Sequence, residues 1–138
     1  MITAVDTNIL IDVFGADERF GRVSQQALKH CATKGSLIAC DVVWIETATV
    51  FASTKECELA MSKIGVDFSA TLMEAIEAAS DAWRQYRHNG GKHNRVAADF
   101  LVAAHALRQA HQLLTRDQGF CRQYFSSLVI VDPIAPAP

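Results

Sequence analysis

No apolar run in this 138-residue chain approaches the ~20 residues that a membrane-spanning helix needs, so no such span is expected. The first acid arrives at position 6 without a basic segment and long apolar run around it, and no signal peptide is expected. Four cysteines, Cys31, Cys40, Cys57 and Cys121, form neither a CxxC pair nor a zinc-like spacing. They read as free thiols, small buried hydrophobes of a protein in a reducing cytoplasm. An excess of positive charge is missing too: 13 Lys and Arg against 15 Asp and Glu give a formal net charge of -2. That excludes a globally basic nucleic-acid binder and leaves room only for a local basic patch. Internal repeats, low-complexity segments and domain linkers are absent as well.

What is present is a core. Half the residues are apolar and 20% charged, which excludes a disordered chain. The length suits one domain burying roughly 68% of its unfolded surface, assigned to residues 1–132, with a frayed tail at 133–138. Short β-prone runs alternate with helical patterns, which predicts a parallel sheet covered on both faces. The strand candidates are Ile2 to Asp6, Leu37 to Cys40, Val66 to Phe68, Leu113 to Thr115 and Leu128 to Val131. A helix is predicted from Leu72 to Tyr86, where Leu72, Ile76, Ala79, Trp83 and Tyr86 form a core stripe and Thr71 with Glu74 a capping box. Another spans Ala98 to Ala110, with Ala103, Ala104 and Ala106 allowing close approach to the sheet.

Four carboxylates stand where a strand ends or a helix begins: Asp6, Glu46, Asp99 and Asp117. Each has an ordinary explanation. Asp6 and Asp117 could cap helices, Asp99 could complement a helix dipole, and Glu46 lies on an apolar stripe with Val42, Val43, Thr49 and Val50, where it needs a partner. Yet in a parallel α/β sheet the carboxyl ends of the strands share one edge, where ligands bind. One divalent cation there explains all four acids at once. Hard oxygen donors favour Mg²⁺ or Mn²⁺, while the five histidines are scattered and form no softer site. Asp12, Asp17, Glu18, Glu56 and Glu58 read as surface acids. From Trp83 to Ala98 no acid occurs, and Arg84, Arg87, Lys92 and Arg95 with His88 and His93 surround Asn89-Gly90-Gly91 just before Asp99. A patch so placed suits an RNA backbone, through Arg87, Lys92 and Arg95.

The segments Asp6-Thr7-Asn8-Ile9-Leu10-Ile11-Asp12, Glu46 after a short second strand, Ala98-Asp99-Phe100-Leu101-Val102-Ala103-Ala104-His105-Ala106, and Leu114-Thr115-Arg116-Asp117 with Phe120 together resemble the PIN-domain nucleases. Within them the likeness is to the VapC-like toxins of bacterial toxin–antitoxin pairs. It runs over nearly the whole chain, loosely between Glu46 and Ala98. The resemblance implies an α/β fold, a three-layer α/β/α sandwich with a central parallel sheet. It implies a Mg²⁺-dependent endoribonuclease, with Mn²⁺ able to substitute, acting in the cytoplasm as a homodimer controlled by an antitoxin. Catalytic and metal-binding roles fall to Asp6, Glu46, Asp99 and Asp117, supported by Thr7, Asn8 and Thr115. Apolar surface around Val43, Trp44 and Phe51 would be open to the antitoxin. Three other readings differ in class. A haloacid-dehalogenase-like phosphatase needs a second Asp where Asn8 stands and a Thr where Leu10 stands. A metal-free ribonuclease would use His88 and His93, and a non-enzymatic module would bind RNA or protein around a structural ion.

Overall fold

The computed structural model describes residues 1–91 and 95–134. Five strands form one sheet: β1 (Ile2–Val5), β2 (Ser36–Cys40), β3 (Val66–Ser69), β4 (Gln112–Leu114) and β5 (Ile130–Val131). All neighbours pair in parallel, in the order β3-β2-β1-β4-β5. Each expected strand is present, displaced by a residue or two at its ends. The winding runs outward from β1 to β3, then returns to β4 on the other side of β1. Right-handed crossovers therefore carry the helices before and after that reversal to opposite faces, giving the α/β/α sandwich. The reversal also opens a crevice beyond the carboxyl ends of β1 and β4.

The described helices are α1 (Thr7–Phe14), α2 (Gly21–Lys34), α3 (Asp41–Ala48), α4 (Thr54–Lys63), α5 (Met73–His88), α6 (Ala97–Gln109) and α7 (Gln118–Tyr124). No described helix is long and apolar enough to cross a membrane. Central strands buried on both sides read as continuous apolar runs, and Ala4, Val5, Leu113 and Leu114 are all at most 2% exposed. The four cysteines are buried and free, as expected. Of the expected frayed tail, 135–138 lie outside the described residues.

Helix α5 departs from expectation. Its buried face is Ala75, Ala79, Ala82 and Tyr86, while Leu72 and Ile76, assigned to the core stripe, are exposed. The reason is steric: α5 packs on α6, and alanines let the two backbones approach where Leu72 and Ile76 would hold them apart. The expected Thr71–Glu74 capping box is also absent. Leu72 occupies the N-cap, and the Thr71 hydroxyl donates instead to Asp41 Oδ1, a charged acceptor that outcompetes a backbone amide. Nor is the surface expected on the early helices open as described. Val43 is buried, Trp44 and Phe51 pack against the core, and the exposed residues nearby are Ile45 and Val50.

An aromatic cluster ties the last three helices together. Phe100, with no exposed surface, has ring centroids of Trp83 at 5.1 Å, Tyr86 at 5.4 Å, Phe120 at 4.8 Å and Tyr124 at 5.8 Å. Because Phe100 follows Asp99 and Phe120 lies just after Asp117, this packing also sets the two acids' backbones. Phe100→Ala should lower stability by about 3–5 kcal/mol in urea unfolding, and Phe100→Leu by clearly less. A loss no larger than that of an ordinary surface substitution would remove the cluster from its structural role.

Candidate functional site

The four acids come to one cleft. Asp6, Glu46, Asp99 and Asp117 line it together with Ala98, Val102, Ala103, Leu113, Phe120 and Cys121. Parallel pairing of Val5 with Leu114 puts the next residues, Asp6 and Thr115, side by side as the two strands end. Asp6 caps α1, accepting from the Thr7 N–H at 2.7 Å. Its other oxygen accepts from the Thr115 hydroxyl at 2.8 Å and from the Asn8 amide at 3.4 Å. Thr115 Oγ1 in turn accepts from Asn8 Nδ2 at 3.2 Å and the Asp117 N–H at 2.9 Å. Thr7 reaches outward, donating to Glu46 Oε1 at 2.8 Å. Thr7, Asn8 and Thr115 thus contact the acids as expected.

Asp99 sits in the first turn of α6, where its carboxylate accepts from the Val96 N–H at 3.1 Å. Its place in that first turn suits the helix-dipole explanation and adds a cap to it, and it lines the cleft as well. Asp117 precedes α7 but makes no side-chain cap. Instead it is paired with both terminal nitrogens of Arg95, one at 3.1 Å, and that guanidinium stacks 4.6 Å above Phe120. Arg95, expected to meet RNA, is committed to an acid of the cleft. Arg87 is exposed on the last turn of α5, and Lys92 lies outside the described residues, as does His93. Glu46 also differs from expectation: it is exposed at the rim, not held on an apolar stripe. Helix α3 ends at Ala48, so Thr49 and Val50 no longer share its face.

Crowded charge shows in the electrostatics. The Asp6 pKa is pushed up to about 6, chiefly by burial and further by the charges of Asp117 and Glu46, against the lowering hydrogen bonds of Thr115 and Thr7. Burial, with Asp6 and Asp117 adding, pushes the Cys121 thiol up to about 12, so in the metal-free cleft it stays protonated. Among the described residues, no histidine lines the cleft. The donors there are carboxylate oxygens, a set that fits a hard divalent cation. As they stand, no three His, Cys, Asp or Glu side chains among the described residues converge on one point. Each carboxylate is turned to a protein donor, Asp117 to Arg95.

Asp12, expected at the surface, is the residue that sequence reasoning missed. It is 3% exposed and accepts from Arg116 Nε at 2.7 Å, Arg116 Nη2 at 2.9 Å and Ser24 Oγ at 2.7 Å. A signal existed: Asp12 lies three residues after Ile9, on the buried face of α1.

The raised Asp6 pKa has a testable sign. Below about pH 4 Asp6 is protonated in both folded and unfolded chains; between about 4 and 6 only the folded chain keeps the proton, so stability falls as pH rises through this window and the deficit persists above it. Asp6→Asn should melt higher than wild type in chelator at pH 7.5, and the advantage should vanish at pH 4. An equal difference at both pH values would contradict a proton held by burial and by the neighbouring charges.

The sequence matches the profile of the PIN domain family over residues 3–126. A search of curated protein sequences finds no significant match. Among solved structures, the fold is similar to VapBC2 from Rickettsia felis bound to a promoter DNA fragment, with a TM-score of 0.73 and 15% identity over 96% of this chain and 98% of that one. VapBC-1 from nontypeable Haemophilus influenzae gives 0.72 and 16% over 98% and 100%. VapC20 from Mycobacterium tuberculosis, a sarcin-ricin loop cleaving toxin, gives 0.56 and 13% over 80% and 86%. At such identities these likenesses speak for the fold, and the profile, which spans all four acids, speaks for the family. The chain belongs to the PIN domain family.

Proposed function

We propose that this chain is a Mg²⁺-dependent endoribonuclease acting in the cytoplasm as the toxin of a toxin–antitoxin pair. The observation that carries the reading is the gathering of Asp6, Glu46, Asp99 and Asp117, from separate elements, around one cleft. Family membership adds the nuclease class, and the cleavage of a sarcin-ricin loop by VapC20 adds RNA. Asp6, Asp99 and Asp117 would hold the cation, with Glu46 at the rim. When bound, such a cation supplies Lewis acidity that brings the pKa of a coordinated water toward neutrality and offsets charge growing on the phosphoryl oxygens. Asp6 is kept in place by its bonds to Thr7 and Thr115, so its orientation is set before any ligand arrives. Glu46 faces solvent, where it can accept a proton from water. Water as nucleophile requires no covalent step on the protein; with the P–O3′ bond broken and the 3′ oxygen leaving with a proton, it gives a 5′-phosphate and a 3′-hydroxyl.

Arg95 gains a second part in this reading. A guanidinium that neutralises Asp117 in the absence of a cation is freed beside the cleft once that carboxylate is used, next to the phosphates of the substrate. With Arg87 and Lys92 it would hold the RNA backbone. Neutralising all three should weaken RNA binding and flatten the dependence of log K on log salt by roughly 2, at about 0.7 for each phosphate no longer neutralised. An unchanged slope would leave the three without a part in RNA binding and Arg95 only with its pairing to Asp117.

A free nuclease needs control, and the VapBC and other toxin–antitoxin assemblies among the similar structures support an antitoxin for this chain too; the homodimer is part of this proposal on the family resemblance alone. The test is induction of wild type beside Asp6→Asn in one bacterial strain, with mapping of RNA 5′ ends. Wild type alone should arrest growth and create new 5′-phosphate ends, and co-expressed antitoxin should relieve the arrest. Purified enzyme should lose cleavage in chelator and regain it with Mg²⁺ or Mn²⁺, while Asp6→Asn, Asp99→Asn and Asp117→Asn stay folded and largely inactive. Equal growth of both strains without new ends would overturn the toxin reading; full cleavage in excess chelator would overturn the metal.

A further inference from the structure

We propose that the buried Asp12–Arg116 pair is a positioning device for the cleft, setting where Asp117 and Thr115 stand relative to Asp6. The inference rests on the reading of that cleft as a divalent-cation site. Arg116 lies between Thr115 and Asp117, and its side chain turns away from the acids into the seam between α1 and α2. There the guanidinium is fixed in direction by two bonds to Asp12, at 2.7 and 2.9 Å, and lies 4.0 Å above the Phe20 ring. Asp12 is itself fixed by Ser24 Oγ at 2.7 Å. The seam is narrow enough for this because Gly21 begins α2; a Cβ there would meet the Asp12 carbonyl oxygen at 3.1 Å.

The backbone of Arg116 is held on the same side, its N–H donating to Asn8 Oδ1 at 3.3 Å. Asp117 is held at its carboxylate by Arg95, and its backbone is placed separately. It makes no side-chain cap and its backbone, at φ -95° and ψ 63°, is not yet helical. What places that backbone is Thr115 Oγ1, which accepts its N–H, and the anchored residue before it. A chain of contacts thus runs from Ser24 through Asp12 and Arg116 to Asn8, Thr115 and Asp6.

Energetics favour a directional role over a stabilising one. A buried ion pair often adds nothing to stability compared with apolar residues of the same volume, because desolvation offsets the attraction. The planar, two-bond match of guanidinium and carboxylate does what apolar packing does not, which is to fix an angle. Asp12 and Arg116 are not among the residues that line the cleft; their effect would pass through Thr115 and Asp117.

The experiment compares wild type, Arg116→Lys, Ser24→Ala and the apolar double replacement Asp12→Leu with Arg116→Met. Mn²⁺ binding is measured by calorimetry and by the paramagnetic resonance of the free ion, well below each melting temperature. Groups that orient metal ligands are typically worth 10- to 100-fold in affinity. Arg116→Lys and the double replacement should therefore weaken Mn²⁺ binding by at least about 10-fold, while the double replacement melts close to wild type. Ser24→Ala, which removes one bond to Asp12 and folds most safely, should weaken it by a smaller factor. Wild-type Mn²⁺ affinity in all the folded variants would overturn the positioning role and leave the pair a packing feature. No Mn²⁺ binding by wild type would overturn the cation reading and this inference together.

Discussion

The parallel pairing of β1 with β4 is the constraint on which the rest of the cleft depends. Its register, Val5 opposite Leu114, delivers Asp6 and Thr115 to the same height, and the 2.8 Å bond between them joins the two strand ends. From Thr115 the chain continues to Asp117, whose backbone N–H is tied to the same hydroxyl. A shift of one residue in that register would turn Asp6 to the other face of the sheet. The chemistry of the cleft is thus a consequence of sheet geometry before it is one of side chains.

Around this junction the protein manages negative charge with two arginines that serve different ends. Arg95 faces the acids and neutralises Asp117 directly. Arg116, one residue from Asp117, faces away and neutralises Asp12, which is buried and would be costly unpaired. Asp6 has neither arginine as a partner. It relies on hydrogen bonds alone, which is why burial and its acidic neighbours hold its proton so high. A cleft of this kind stores repulsion that a cation would relieve.

The far wall is built on packing. Phe100 joins α5, α6 and α7 through rings at 4.8 to 5.8 Å, and the alanine faces of α5 and α6 bring those helices close. Residues that do no chemistry thereby hold Asp99 and Asp117 at the cleft. His105, on the same helix as Asp99, is 1% exposed, with Nε2 2.9 Å from Ser69 Oγ on β3, and burial lowers its pKa.

Sequence by itself determined the fold class, the strand sequence and the arrival of Asp6, Asp99 and Asp117 at one edge, because each depends on local signals that repeat: β-prone runs, helical spacing and an acid at a strand end or helix start. Glu46, expected at such a position, lies in the last turn of α3. Tertiary structure decided what those signals do not encode. Asp12 looked like surface because its partner, Arg116, is 104 residues away. Arg95 looked free for RNA because its pairing with Asp117 forms only when the chain folds α6 and α7 together. The core face of α5 followed alanines and not the larger Leu72 and Ile76, since the space left by α6, not the hydrophobicity of a side chain, selects what is buried. Pattern along the chain reports which residues can go inside; only the packed neighbours report which of them do, and with whom each charge is shared.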